Sequence, residues 1–425
     1  MTESTAQTKA RLQSHGSPKK FRGENRLVAM YSHDTYGLGH LRRSLKIARA
    51  LRAAYPELSL LIMTGSSELN SQAIPPGVDI VKLPSVIKTA DERYQSRSLH
   101  VSFERTLRAR SEIILACMQA YEPDLLLVDH SPVGMKGELR QALTGLARSD
   151  AKTIVALGLR DIVDSPDRVI KRWRSEGVYD VLEEAYHHIL IYGQPEIFDP
   201  LSKYEFSPKL RHKTEFCGYI AGAFPSGAKA EAPLSDRRPL VLVTIGGGDY
   251  YGQEIIGTYL EMVREHLNRI TFDTRIICGP LIDRELYERL SAAAAGLPVG
   301  LAKITTDMER CMAEADFVIA TGGYNTTVET LTHARRAMII PRVTMRDEQL
   351  IRTTRLAELG ALTMMHPDDI TPKKLFFEVT RGLYESDDSV RNFREENKVN
   401  LGGVERVTTL CGELLAAAQD NGADQ

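Results

Sequence analysis

The sequence predicts an α/β protein of two domains, each a parallel sheet covered on both faces by helices. Three observations predict it. The chain has 425 residues, too many for one ordinary core, since domains cluster near ~100–200 residues. Short apolar runs of strand length alternate with helix-period patterns through most of its length, as in parallel strands joined by crossover helices. The alternation is interrupted at 221–238 (AGAFPSGAKAEAPLSDRR), where Gly, Ala, Pro and Ser gather as they do in linkers.

Strands are expected at 27–31, 58–63, 79–83, 125–128, 153–157, 188–191 and 214–217, with helices at 40–54, 99–121, 137–147 and 168–186. In the helix at 40–54, Leu41, Leu45, Ala48 and Leu51 share one face. Beyond the linker, strands are expected at 240–245, 275–278, 317–320, 337–340 and 361–364. Helices fall at 254–267, 284–295, 308–315, 326–333, 349–359 and 373–384, and the chain is helical again to about 418. The expected division is a disordered tail at 1–25, domains at 26–220 and 239–400 around the 221–238 linker, and a C-terminal helix and tail at 401–425. Open parallel sheets bind ligands beyond the carboxyl ends of their strands, so two such domains imply a cleft between them.

A formal net charge of -2, from 54 basic and 56 acidic residues, gives no reason to expect nucleic acid as a partner. Five scattered cysteines without a CxxC pair argue for a reducing compartment and against a disulfide or zinc framework. The first 25 residues are polar and basic, unlike a secretory signal. The longest apolar runs, such as 124–128 and 239–245, fall far short of the ~20 residues that span a bilayer. A cytoplasmic location is expected, with association at the inner face of a membrane left open.

Three strands end in glycine turns that lead into helices. The first is YSHDTYGLGH, 31–40. Gly37 and Gly39 permit close backbone approach, Asp34 lies in the turn, and His40 opens the helix beside the cleft. A neutral His40 suits a general base, and on position alone a cap or packing role competes with that. The second turn is TIGGGD, 244–249, where Gly246, Gly247 and Gly248 expose amides at a helix start that favours phosphate. It also reads as a tight turn without ligand, and it matches neither a Walker A loop nor GxGxxG. The third is ATGGYNTTVE, 320–329. Gly322, Gly323 and Thr326 offer amides to a diphosphate, Asn325 or Thr326 opens the helix, and Glu329 lies where a carboxylate can accept both hydroxyls of a ribose; favourable interaction with the helix dipole also explains that acid, though not the preceding TGGYNT. Asp129 and His130 follow the strand DLLLV; either could serve the acceptor, Asp129 could instead orient His40 in a His–Asp pair, and Asp–His after a strand also reads as an ordinary turn and cap. Arg160 ends another strand. The polar segment 85–105, with Arg93, Arg97 and Arg105, reads as a solvated loop or as a mobile lid over the acceptor.

TIGGGD, then MERCMAEADFVIATGGYNTTVE, then AMIIPRVTMRDEQ resemble, in order, the donor-binding half of family 28 glycosyltransferases. GLGH in the first half resembles that family's first glycine loop, and FCGYI (216–220) the approach to its hinge. The resemblance implies a GT-B fold, with two Rossmann-like domains facing a central cleft. It also implies a UDP-sugar donor and inverting, metal-free transfer to a hydroxyl of a glycan, lipid or small molecule, with no further cofactor. By position, Glu329 would hold the donor ribose, Gly322, Gly323, Asn325 and Thr326 the diphosphate and sugar, and Asp347 and Gln349 the donor sugar or ribose. Gly246, Gly247 and Gly248 would lie by the phosphates, and the segment from Ile304 to Met308 would border the base. His40 would face the acceptor, with Asp34, Gly37, Gly39, His130 and Arg160 on that side. Asp34 and Tyr36 depart from the family's small residues, Asp249 follows the second turn, and Leu350 follows Gln349 where the family's peptidoglycan-building members have a second glutamine. No DxD triplet occurs, and eight residues beyond Glu329 stands Ala337 rather than a second glutamate. Both features fit inverting transfer without a metal. A nucleotide-sugar epimerase or hydrolase of the same fold is the nearest rival, followed by a non-catalytic nucleotide-sugar binding protein and, more distantly, a Rossmann oxidoreductase.

Overall fold

The computed structural model describes residues 26–33, 39–67, 69, 73–88, 94–148, 152–222, 237–246, 250–280, 282–384 and 398–423. The expected tail, most of the expected linker, Asp34, Gly37, Arg93, Gly247, Gly248 and Asp249 lie outside the described residues.

The N-terminal half contains β1 (Leu27–Ser32), α1 (Gly39–Ala54), β2 (Ser59–Thr64), β3 (Val78–Lys82), β4 (Val86–Lys88), β5 (Tyr94–Ser96), α2 (Phe103–Tyr121), β6 (Leu125–Asp129) and α3 (Arg140–Arg148). It continues through β7 (Ile154–Arg160), α4 (Pro166–Ser175), α5 (Val178–Ala185), β8 (His188–Tyr192), α6 (Pro200–Lys203), α7 (Pro208–His212) and β9 (Thr214–Phe216). The C-terminal half follows as β10 (Leu240–Thr244), α8 (Tyr250–Glu265), β11 (Asp273–Ile277), α9 (Arg284–Ala294), β12 (Val299–Ala302), α10 (Met308–Glu314), β13 (Phe317–Thr321) and α11 (Tyr324–His333). It ends with β14 (Ala337–Ile340), α12 (Glu348–Glu358), β15 (Thr363–Met364), α13 (Pro372–Tyr384) and α14 (Gly403–Ala423).

Two parallel sheets result, one of seven strands in the order β3-β2-β1-β6-β7-β8-β9 and one of six in the order β12-β11-β10-β13-β14-β15. The middle strands β6 and β13 are buried along their whole length, as expected where helices cover both faces. In each sheet the chain runs outward from a central strand in one direction and then in the other. β1 therefore parts from β6, and β10 from β13, at a switch point where a crevice opens beyond the strand ends.

The structure departs from the sequence expectation locally. The helix expected at 168–186 is two, α4 and α5, broken where Gly177 takes a left-handed φ of +59°. The helix expected from 99 begins at Phe103, because the Ser102 side chain accepts from the Arg105 amide and caps it there. A 3₁₀ turn, Met135–Gly137, replaces the start of the helix expected at 137. The polar segment 85–105 contains the antiparallel pair β4 and β5. The edge strand β12 was not expected, since VGLA is short and only partly buried.

The halves share a core. One apolar cluster joins Leu45, Tyr192, Tyr219 and Ile220 to Tyr324, Val328, Leu356 and, from α14, Val407, Leu410 and Leu415. α14 packs against α1, so the chain's last helix returns to the N-terminal half.

Candidate functional site

The ends of β1 and β6 bring the acceptor-side residues together. Asp129 is the last residue of β6, and His40 and Arg43 lie in the first turns of α1 beside it. His40 Nδ1 is 2.5 Å from Asp129 Oδ2. A carboxylate only accepts, so Nδ1 carries a proton, and in the neutral ring Nε2 is the nitrogen with the free lone pair. Arg43 grips the same carboxylate from its other side, Nε to Oδ1 and Nη2 to Oδ2 at 2.8 Å each. Burial alone would raise the Asp129 pKa; the Arg43 guanidinium and His40 outweigh it and hold the group well below the usual carboxylate range.

Two further imidazoles crowd His40, with ring centroids at 5.4 Å (His33) and 5.5 Å (His130). His130 holds a φ of +63°, a conformation uncommon outside glycine. The Arg160 guanidinium faces its ring, with Nε 3.3 Å from Nδ1 and Nη2 2.9 Å from Nε2. Burial first, then Arg160, pushes the His130 pKa well down. Burial, then His40, does the same to His33. Both rings are therefore neutral near pH 7. Beneath them, Tyr31 Oη donates to Glu138 Oε1 at 2.6 Å, and Arg110 binds Glu138 through Nε and Nη2 at 2.6 and 2.7 Å.

Across the cleft, α11 follows Gly323 as its N-cap residue, with no side-chain cap and no acid in its first turn, so its amides remain available to an anion. Gly246 turns with a φ of +68°, and a Cβ there would lie 3.4 Å from Thr321 Oγ1 and 3.5 Å from Thr326 Oγ1. The β10 and β13 turns thus meet at one place. Gln349 accepts the Arg342 amide at 3.0 Å through Oε1, which leaves its NH2 end to donate. Asp347 is the N-cap residue of α12, two residues before Gln349. Its side chain is 37% exposed and faces Arg168 at 3.8 Å. Glu348 is buried between Arg160 at 3.4 Å and Arg352 at 3.7 Å. Ile304 is exposed, and Met308, at the start of α10, is half-buried.

Several side chains cross the cleft. Arg352 makes a buried two-point contact with Asp161, which also accepts from Tyr219 Oη at 3.0 Å. Tyr324 reaches into the N-terminal half, donating to the Tyr192 carbonyl at 3.0 Å and accepting the Ile220 amide at 3.2 Å. Its ring lies between the Arg43 and Arg352 guanidinium carbons, at 5.3 and 5.5 Å from its centroid. Asn325 Nδ2 donates to the Gly39 carbonyl at 2.7 Å, and Lys46 Nζ to Glu329 Oε1 at 3.3 Å.

A cavity of about 420 Å³ adjoins His40 on the N-terminal side. Its lining combines apolar Val133, Val163, Val178 and Trp173, the chain's one tryptophan, with Lys136, Arg140, Arg160, Arg172 and Arg346, and with Glu176 as its one acid. Arg140 donates to the Glu176 carbonyl. Lys136, Arg172 and Arg346 have no carboxylate within ion-pair distance among the described residues.

Residues 242–403 match the model of the glycosyltransferase family 28 C-terminal domain. The C-terminal half is therefore similar to the family 28 glycosyltransferase C-terminal domain. A stretch of 93 residues is 33% identical to the UDP-N-acetylglucosamine–N-acetylmuramyl-(pentapeptide) pyrophosphoryl-undecaprenol N-acetylglucosamine transferase of Brucella suis, covering 22% of this chain and 23% of that one. The enzyme from Brucella canis matches over the same lengths. The matched stretch is thus about a quarter of these relatives. MurG of Acinetobacter baumannii superposes with a TM-score of 0.56 at 14% identity, over 91% of this chain and 99% of that one. The glycosyltransferase VinC, solved with dTDP, gives 0.59 at 16% identity, over 93% and 100%. The whole chain therefore has the GT-B fold, its N-terminal half facing the family 28-like domain across the cleft.

Sequence reading placed His40, Asp129, His130 and Arg160 on one side of the cleft, and Gly246, Gly322, Gly323, Asn325, Thr326, Glu329 and Gln349 on the other, as the fold does. It missed Arg43, Lys46, Tyr324, Glu348 and Arg352. The signal for Arg43 and Lys46 was a cation three and six residues beyond His40, on a face of α1 that the apolar residues leave free.

Proposed function

We propose that the chain transfers a sugar from a nucleotide-sugar, read as a UDP-sugar, to an acceptor hydroxyl beside His40, with inversion and without a metal. The observation that carries this reading is the His40–Asp129 pair, set across the cleft from the uncapped start of α11. The acceptor hydroxyl gives its proton to His40 Nε2 while its oxygen attacks the anomeric carbon. The bond from that carbon to the diphosphate breaks on the opposite face, and the nucleoside diphosphate leaves with the bonding pair. Asp129 stabilises the imidazolium that forms. The α11 amides and the Gly246 turn stabilise the departing charge, and Glu329 holds the ribose. Gln349 and the inward-turned Glu348 are the side chains nearest the role expected of Asp347 and Gln349.

The cations of the cavity suit an acceptor that carries an anion. The Brucella relatives, whose names include a pyrophosphoryl lipid, point the same way. An acceptor of that kind would bring the chain to a membrane surface; among the described residues, no helix is long and apolar enough to cross one.

A thermal-shift series with UDP-, GDP- and dTDP-sugars tests the reading. UDP compounds should raise the melting temperature of the wild type by mass action, and Glu329→Ala should lose most of the rise. No stabilisation by any nucleotide overturns it. Epimerised sugar, or rapid free-sugar release without acceptor, would point instead to the epimerase or hydrolase rival.

A further inference from the structure

Helix α1 belongs to the N-terminal half, yet it meets α11 of the donor side at successive turns. The Gly39 carbonyl accepts from Asn325, Arg43 covers the Tyr324 ring, and Lys46 reaches Glu329. The spacing of 39, 43 and 46 puts all three on one face of α1. Lys46 and Glu329 are both largely buried, their side chains 17% and 11% exposed. Glu309 Oε1, in the first turn of α10, stands 4.0 Å from the same Nζ. An ammonium is thus set beside two carboxylates at the place where the ribose of a donor would lie.

Neither group is saturated by this contact. A carboxylate offers about four acceptor positions and an ammonium three donors. Glu329 can keep Lys46 and still accept ribose hydroxyl hydrogens. Lys46 can keep Glu329 and still donate to a ribose oxygen, since a hydroxyl is donor and acceptor at once. We infer that Lys46 completes the donor site from across the cleft: with Glu329 it forms a two-sided clasp on the ribose hydroxyls and makes the chain selective for ribonucleotide donors. The inference rests on the proposed reading of Glu329 as the ribose carboxylate. A site built to bond a hydroxyl rejects the analogue that lacks it, because its own polar groups are left unpaired.

The test is calorimetric binding of UDP and of 2′,3′-dideoxy-UDP to the full chain. Wild type should bind UDP more tightly by at least about tenfold, the size of one hydrogen bond to a charged group. Lys46→Met should weaken UDP about tenfold and leave the dideoxy compound nearly unchanged, so that the preference narrows. Lys46→Arg should restore part of it. Equal losses for both nucleotides would make Lys46 a strap between domains and overturn the inference. Unchanged UDP affinity in Lys46→Met overturns it while leaving the nucleotide reading intact. If wild type binds neither compound, both fall.

Discussion

Arg352 closes a two-point contact with Asp161 across the cleft, Nε to Oδ2 and Nη2 to Oδ1 at 2.8 Å each, with both side chains wholly buried. The Arg352 guanidinium also reaches the Gly322 carbonyl at 3.2 Å, so the clamp that joins the halves holds the turn before α11 as well. Removing one partner strands a buried charge. Arg352→Met or Asp161→Asn should therefore each cost about 3–5 kcal/mol. The double variant should lose less than the sum of the two, because neither charge is then left alone. Urea denaturation of the ligand-free protein measures all of these. Additive losses would mean that the two side chains do not act as a pair.

His40→Ala should lower the rate of sugar transfer about 10²–10⁴-fold, as expected for loss of a general base. Asp129→Asn should lower it too, by leaving His40 without the carboxylate that fixes its tautomer. Donor affinity, governed by α11 and Glu329, should stay within about twofold in both, since neither residue touches the nucleotide under this reading. Initial rates at saturating donor, set beside donor binding, separate the two effects. Transfer at the wild-type rate in His40→Ala would remove it as the base.

The parts legible in the sequence were those set by local pattern. Strand–helix alternation with glycine turns predicted both sheets, and the spacing of Leu41, Leu45, Ala48 and Leu51 predicted the buried face of α1. The contacts that bind the halves to each other could not be read that way. Arg352 looks like an exposed residue of an amphipathic helix until Asp161 is brought to it from 191 positions away. Asp347 and Glu348 differ by one residue, and only the fold shows that Glu348 is the one turned inward.

Acid should destabilise the site in a defined window. His33 and His130 are pushed below 6.5, foremost by burial. Just below that pH the unfolded chain binds protons that the folded one refuses. Stability should therefore rise with pH there, and be lost as pH falls through 6.5 toward the folded values. His130→Asn keeps a side chain that tolerates the left-handed backbone and removes one titrating group. It should flatten the slope below pH 6.5 by up to about 1.4 kcal/mol per pH unit. Denaturation midpoints between pH 5 and 8 decide it; an unchanged slope would mean that His130 protonates as freely in the fold as outside it.

The cavity carries its own reporter, because Trp173 is the chain's one tryptophan and lines it. An anion drawn to Lys136, Arg172 and Arg346 would change the field around that indole. Titration with inorganic pyrophosphate should therefore give a saturable change in tryptophan emission. The response should weaken as salt rises, since screening acts on partly exposed charges. Arg172→Gln and Arg346→Gln should each raise the apparent dissociation constant about tenfold, the loss of one charge-assisted contact. Arg346 belongs to the C-terminal half, so its effect would also show that the anion is held from both sides of the cleft. A prenyl diphosphate that binds more tightly than pyrophosphate would add the apolar lining to the recognition. Emission indifferent to every anion would remove the cavity as the acceptor's anion site and leave its cations as solvated surface.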